Sequence, residues 1–231
     1  TSHPRDMSQH IIEAVARLEK VCEWINLPFQ AGDNDVLRSM RRPYVIEDYV
    51  ELVHRIRATI PSVALSTDII AGFCGETEEQ FQRTVDVVEE LRFDTVYVAP
   101  YSTRSGTIAD RQLVDDVPVQ EKRRRMKVIE ELQERIATEI NAQLLGQHVE
   151  VLVEKRQKGK WTGRTRTNKV VFFDDAQDWR GRRVPLEITQ TSPWSLQGRL
   201  LNAALRDGTM DPETSVKDGG EDRYIPLMPV R

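Results

Sequence analysis

The chain has 231 residues, 30% charged and 39% hydrophobic, with a formal net charge of −4. This composition fits an ordinary globular protein and excludes collagenous and low-complexity classes, and no run is long and apolar enough to span a bilayer. No basic-then-apolar segment opens the chain, which predicts a cytoplasmic protein with no membrane partner.

Charge is unevenly spread. Residues 1–146 carry 18 basic and 25 acidic side chains, a net of −7, whereas residues 147–200 carry 11 and 6, a net of +5. The switch predicts a domain boundary near residue 146, followed by a module suited to a polyanion.

Ser8 is placed to cap a first helix bearing Ile11, Ile12, Val15, Ala16 and Leu18. Trp24 to Phe29 is a predicted strand, and Gln30 to Asn34 a polar turn. A helix from about Ile46 to Thr59 follows, its stripe Tyr49, Leu52, Val53 and Ile56. Ala64 to Ala71 then predicts a parallel strand buried on both faces, ending in Gly72-Phe73-Cys74-Gly75-Glu76-Thr77. Gly75 permits close backbone approach, and Thr77 can cap the next helix, which shows Phe81, Val85, Val88 and Leu91 at helical spacing. Thr95 to Ala99 is a further strand, ending at Pro100-Tyr101-Ser102. Strands alternating with helices imply parallel βαβ units, whose ligands gather at the carboxyl ends of the strands. Cys22 and Cys74 are too few and too distant for a disulfide framework, a zinc site or a cysteine-ligated cluster, and are expected as core thiols.

A long helix is predicted from Val119 to about Leu145, ended by Gly146. Its Glu121 to Lys127 portion is either a phosphate-binding patch or, more simply, a solvated face. Beyond it come short strands at His148–Glu154, Lys169–Phe173, Arg183–Ile188 and Ser195–Leu200, the pattern of a small all-β barrel or sheet. Between Lys155 and Lys169 stand seven basic residues and no acid, with Trp161 among them. Phosphate contacts and stacking on an unpaired base are both available there, against the alternative of a hairpin kept soluble by charge. From about residue 204 onward the chain is rich in Asp, Gly and Pro without periodicity, which predicts a disordered tail.

Five motifs together carry a resemblance that none carries alone: Thr1-Ser2-His3-Pro4; Leu27-Pro28-Phe29-Gln30-Ala31-Gly32; Thr67-Asp68-Ile69-Ile70 through Gly75-Glu76-Thr77; Tyr101-Ser102-Thr103-Arg104-Ser105-Gly106-Thr107-Ile108-Ala109; and Gly163-Arg164-Thr165-Arg166-Thr167-Asn168-Lys169. The chain resembles the radical-SAM methylthiotransferases, specifically the branch that makes 2-methylthio-isopentenyladenosine in tRNA. The resemblance implies an α/β fold, with residues 1–146 the second half of a partly open (βα)6 barrel and residues 147–203 an RNA-binding TRAM barrel. The chain departs from the family pattern at Ala31, Asp33 and Cys74, where Ser, a small hydroxyl residue and Pro are usual.

The activity implied is transfer of a methylthio group to C2 of a modified adenine by radical S-adenosylmethionine chemistry. It depends on S-adenosylmethionine and two 4Fe-4S clusters, whose cysteine ligands lie in an amino-terminal half with no counterpart here. The expected partners are therefore that missing half of the same protein and the anticodon stem-loop of tRNA, with the chain inactive alone. By resemblance, Gln30, Asp68, Gly72, Glu76 and Arg104 border the cofactor. Tyr101 and Ser102 lie on the substrate side of the barrel mouth; Trp161 and Asn168 engage a base, and Arg164, Arg166 and Lys169 phosphates. Asn168 has the alternative of holding a turn, Arg104 of pairing with an acid of a neighbouring loop. Other open functions are methylthiolation of threonylcarbamoyladenosine or of a ribosomal-protein aspartate, a non-catalytic RNA-binding module, and an unrelated α/β-barrel enzyme of metal-free chemistry.

Overall fold

The computed structural model describes residues 2–201; the predicted tail at 204–231 lies outside them. Strand β2 (Ala64–Ala71) is the centre of a three-stranded sheet. It pairs in parallel with β1 (Trp24–Asn26) on one side and β3 (Thr95–Pro100) on the other. The outer edge of β1 is met by Ser2, whose N–H donates to Asn26 O at 2.9 Å. The run Ala64 to Thr67 is wholly buried, as a parallel strand covered on both faces requires.

Helices α1 (Gln9–Arg17), α3 (Ile46–Thr59), α4 (Glu78–Leu91) and α6 (Val119–Ala142) share the core of this sheet. Leu27, Phe29, Tyr49, Leu65, Ile69, Phe81 and Phe93 are all essentially inaccessible. The Phe29 and Phe93 rings stack at 5.8 Å, and the buried Tyr49 hydroxyl donates to Leu27 O at 2.7 Å. A phenol there needs such a partner, because an unpaired buried hydroxyl is costly. Ser8 caps α1 as predicted, and Thr77 forms a capping box with Gln80 at the start of α4.

Two short helices escape a periodicity search: α2 (Asn34–Ser39) and α5 (Ile108–Gln112). At six and five residues they are too short to display a stripe. Their signal is the cap: Asp33 accepts from the N–H groups of Asp35 and Val36, and Thr107 accepts from that of Asp110.

After α6, Gly146 adopts φ +76°, which an L side chain rarely takes, and turns the chain into a second core. Here β4 (His148–Gln157), β5 (Lys160–Thr165), β6 (Val170–Phe173), β7 (Arg183–Thr191) and β8 (Leu196–Leu200) close a barrel in the order β4-β5-β6-β8-β7. Four of these strands were expected. The fifth, β5, was hidden because its lysine, arginine and glycine lower apparent β propensity. Gly163 allows that strand to approach β4 closely: a Cβ there would sit 2.3 Å from Leu152 O. The barrel is tied to α6 by the Asn141 amide, which donates to Ser192 O at 2.8 Å and Pro193 O at 3.0 Å. It is tied again by Gly146 N–H, which donates to Ile188 O at 2.8 Å.

Candidate functional site

Alternation along β2 sends Leu65, Thr67 and Ile69 into the helix-covered core and turns Ser66, Asp68 and Ile70 to the opposite face. On that face the Asn26 amide donates to the Asp68 carboxylate at 3.1 Å, and the Ser66 hydroxyl donates to Asn26 Oδ1 at 3.0 Å. Gln30 joins them from the loop after β1: its N–H donates to Asp68 O, and its own carbonyl accepts from Ile70 N–H, both at 3.0 Å. These two bonds hold Gln30 at φ +71°. A cavity of about 390 Å³ opens here, lined by Pro28, Gln30, Asp68, Ile70, Tyr97 and Ala99. The fold thus brings Gln30 and Asp68 together. Sequence reasoning missed Ser66, whose signal was the period of two that places it in line with Asp68, and Asn26, which reaches them from β1 only through the strand register.

The glycine turn is built differently from its expectation. Gly72 stands at φ +73°, and the space its missing Cβ leaves is filled by the stem of Lys122, 2.4 Å from the Cβ position. It faces α6 and not a ligand. Gly75, at φ +74°, has open space around its Cβ position, so glycine is required there by backbone conformation alone. The Glu76 side chain is 1% exposed; it accepts from Gly72 N–H at 2.7 Å and pairs with Arg125 at 2.9 Å. Glu76 therefore braces the turn from inside and presents no free carboxylate to a cofactor. Burial pushes its carboxyl above the usual range even though Gly72 N–H and Arg125 act in the opposite sense.

The solvated-face reading of the Glu121 to Lys127 run holds for Arg123, Arg124 and Lys127, which are exposed, and is corrected for the other two cations. Lys122 and Arg125 are buried, neither solvated nor open to phosphate. Lys122 Nζ donates to Tyr101 O at 3.2 Å and to both Asp115 oxygens at 2.5 and 2.7 Å. Arg124 donates to Glu121 at 2.7 and 2.8 Å and Arg125 at 2.8 Å, and these bonds, against the opposing effect of burial, bring the Glu121 carboxyl down to about 2.

Asp33, where the family has a small hydroxyl residue, is buried and pairs with Arg83 and Gln80 of α4. Burial acts to raise its carboxyl, but the N–H groups of Val36 and Asp35 and the Arg83 guanidinium outweigh it and hold it low. The Gly32 N–H donates to the Thr84 hydroxyl at 2.8 Å. The loop carrying Gln30 is thereby fastened to α4.

At the mouth, Tyr101 packs edge-on against Phe73 at 4.8 Å, with Lys122 Nζ 5.0 Å from its ring centre. Burial and the Cys74 thiol beside it push the Tyr101 hydroxyl up. Ser102 and Arg104 are exposed on the same loop. Cys74 is half-buried as expected for a packed thiol, whereas Cys22, expected in the core, is exposed.

In the small barrel three expectations are overturned. The Trp161 ring is 97% buried against β6, donates its indole N–H to Asp175 O at 3.2 Å and carries Arg156 over it at 5.6 Å. It is a core side chain with no face left for a base. Arg166 donates to both oxygens of Glu23, at 2.7 and 2.8 Å, and to Val21 O at 2.6 Å. That guanidinium holds the Glu23 carboxyl low. Lys169 pairs with Asp94 at 2.7 Å. Both cations dock the barrel on the α/β part and are not spare charges for phosphate. Asn168, at φ +63°, takes its turn-holding role, accepting from Arg164 through Oδ1 at 2.9 Å. Arg164 itself stays partly exposed.

Comparison with known proteins agrees with both parts of the molecule. The Radical SAM superfamily profile matches residues 1–88, and the TRAM domain profile matches residues 142–201. A protein of Herpetosiphon aurantiacus named tRNA-2-methylthio-N(6)-dimethylallyladenosine synthase is 51% identical over 211 residues, 90% of this chain and 48% of that protein. Its namesake in Chloroflexus aurantiacus is 52% identical over 201 residues, 86% of this chain and 43% of that protein. The chain belongs to the radical-SAM methylthiotransferase family. It spans about half the length of the curated relatives it matches. The fold likeness extends to coproporphyrinogen III oxidase from Escherichia coli, described as a radical SAM enzyme, with a TM-score of 0.50 at 14% identity over 86% of this chain and 50% of that one.

Membership in this methylthiotransferase family implies S-adenosylmethionine and iron–sulfur clusters in the full-length proteins. The thiols of this chain do not fit a cluster: Cys22 is exposed in the loop before β1, while Cys74 sits in the glycine turn beside Tyr101. Among the described residues no group of three or more His, Cys, Asp or Glu is placed to hold a metal ion. Nor does any described helix have the length and apolarity to cross a membrane.

Proposed function

We propose that this chain supplies the carboxyl-terminal part of a cytoplasmic tRNA methylthiotransferase that adds a methylthio group to C2 of isopentenyladenosine beside the anticodon. The observation that carries this reading is identity of about half over nine-tenths of the chain, continuous through the α/β sheet and the small barrel. Relatives with so much in common on both sides of Gly146 constrain the pairing of the two parts as well as each part. In this reading residues 1–146 form half of the radical-SAM barrel and residues 147–203 its RNA-binding companion.

The inner cavity has the donor set of one wall of an S-adenosylmethionine site. Asp68 offers a carboxylate for a hydroxyl or an ammonium, Gln30 an amide, and Asn26 and Ser66 fix the Asp68 side chain from behind. Bound there, the cofactor would supply the radical chemistry and the methyl group; the chain's own residues orient it and exclude water. Glu76, Arg125 and Lys122 hold the glycine turn at the end of β2 in place from the side of α6.

The test is assembly. This chain is co-expressed with the polypeptide matching the upstream half of the Herpetosiphon relative, reconstituted anaerobically with iron and sulfide, and given tRNA bearing isopentenyladenosine. A methylthio adduct on the nucleoside, detected by mass spectrometry and reduced at least tenfold by Asp68→Asn, is the expected result. A stable complex that binds cofactor yet leaves the nucleoside unchanged overturns the reading.

A further inference from the structure

A second cavity, of about 530 Å³, opens at the carboxyl-terminal mouth of the sheet between α2 and α5. Its wall has two chemical faces. Met40, Ile70, Phe73, Ile108 and Leu113 make an apolar floor, while Arg38, Arg41 and Arg42 stand in the lining with no acidic residue among them. Arg38 is already paired with Asp35 at 2.5 Å. Arg41 reaches only the neutral Gln112 amide, at 3.3 Å, and Arg42 Nε is buried without a hydrogen-bond partner among the described residues. Among the described residues, then, neither of these two guanidinium groups at the mouth is paired with a carboxylate. That is the arrangement of a site whose anion comes from outside.

We propose that this cavity holds the prenylated adenosine of the RNA, its five-carbon N6 substituent on the Met40, Ile108 and Leu113 floor and the flanking phosphates on Arg41 and Arg42. The inference rests on the function proposed above and adds the place where the substrate's hydrocarbon is recognised. An apolar floor alone would suit many ligands, and an arginine pair alone any phosphate. A nucleotide that carries a branched hydrocarbon is the occupant that uses both, and the relatives are named for making a tRNA nucleoside that carries a dimethylallyl group on N6 of adenosine. Position agrees: Ile70 lines this cavity on one side and the Asp68 cavity on the other. A base anchored by its N6 group in the outer cavity therefore lies next to the inner one.

The experiment uses the whole chain and two fluorescent hairpin RNAs, identical except that one carries N6-dimethylallyladenosine in its loop. Anisotropy titration is expected to give about tenfold tighter binding of the prenylated RNA, near the lower end for seating a few apolar carbons. Ile108 is 46% and Leu113 36% exposed, so Ile108→Ser and Leu113→Ser are compatible with folding, checked by circular dichroism. Each should bring the ratio of affinities to within about twofold of unity. The double variant Arg41→Gln, Arg42→Gln should weaken both RNAs while keeping the ratio. Equal binding of the two RNAs by the wild-type chain, or a ratio unchanged in both floor variants, overturns the site and leaves the proposed function standing. Absence of binding to either RNA overturns the RNA reading and this site with it.

Discussion

Arg125→Met is the most informative single change, because it removes a cation from among the Glu76, Glu121 and Glu78 carboxylates while keeping an apolar side chain of comparable length. The Arg125 and Glu76 side chains are 5% and 1% exposed, so the carboxylate left behind has no water to turn to. Breaking a buried pair in this way costs about 3–5 kcal/mol, a large part of the ~5–15 kcal/mol that holds a domain folded. With a urea slope of roughly 3 kcal/mol per molar, the midpoint should fall by about 1–1.7 M. The loss should also depend on pH. Burial already places the folded Glu76 carboxyl above its unfolded value, and removing Arg125 raises it further. A raised acid contributes stability below its unfolded pKa and loses it as pH climbs through the folded value, so the gap between wild type and variant should widen from pH 5 to pH 8. Glu76→Gln, which still accepts from Gly72 N–H, should cost less than Arg125→Met at pH 8. Urea titrations followed by tryptophan fluorescence at the two pH values decide it. A variant within about 1 kcal/mol of wild type at pH 8, or a gap of equal size at both, would refute the bracing role.

Trp161→Ala should destabilise the small barrel by about 3–5 kcal/mol, as loss of a buried aromatic does, and Trp161→Phe should leave RNA affinity unchanged; thermal melts and RNA titration check both. Lys169→Ala, which strands Asp94, should cost about 1.5–3 kcal/mol in urea denaturation. Restoring the pair in reverse, with Lys169→Asp and Asp94→Lys, should recover part of that loss. Gly32→Ala places a Cβ 2.5 Å from Arg83 O, and a backbone atom cannot swing aside. A loss of about 1–3 kcal/mol is expected from chemical denaturation. Lys155→Ala with Lys158→Ala, both on the exposed hairpin, should reduce the magnitude of the salt slope of RNA binding by about 1.4, at ~0.7 per phosphate contact on a single strand. An unchanged slope would move the RNA to another face.

The features legible in the sequence were those fixed by local pattern. Ala64 to Thr77 announced a buried strand, a glycine turn and a capped helix because hydrophobic period, glycine and cap residues lie within a few positions of one another. The resemblance also grouped Gln30, in the loop after β1, with Asp68, inside β2, and the fold brings the two together. What stayed hidden were pairings across distance. Arg166 meets Glu23 from 143 positions away, and Lys169 meets Asp94 from 75. Lys122 and Arg125 looked like surface charge because helical spacing says which residues share a face and not what covers that face. Trp161 misled for a related reason: among seven basic residues an aromatic suggests a stacking platform, yet its strand turns it against Phe173 inside the barrel. A charge count carries no information about which cations are already paired.

Helix α6 joins two tasks that the rest of the molecule keeps apart. Its first turns hold the glycine loop and the mouth through Lys122 and Arg125, and its last turn grips the small barrel through Asn141. At 1.5 Å per residue its 24 residues form a rod of about 36 Å. A tilt of roughly two degrees at one end therefore displaces the other by about 1.3 Å, on the scale at which misplacement of reacting atoms can slow an enzyme about a hundredfold. The stiffness of this helix, together with the Arg166–Glu23 and Lys169–Asp94 pairs, thus sets the precision with which anything gripped by the small barrel is delivered to the sheet. Small changes around Asn141 and Gly146 should register as errors of aim long before they register as loss of fold.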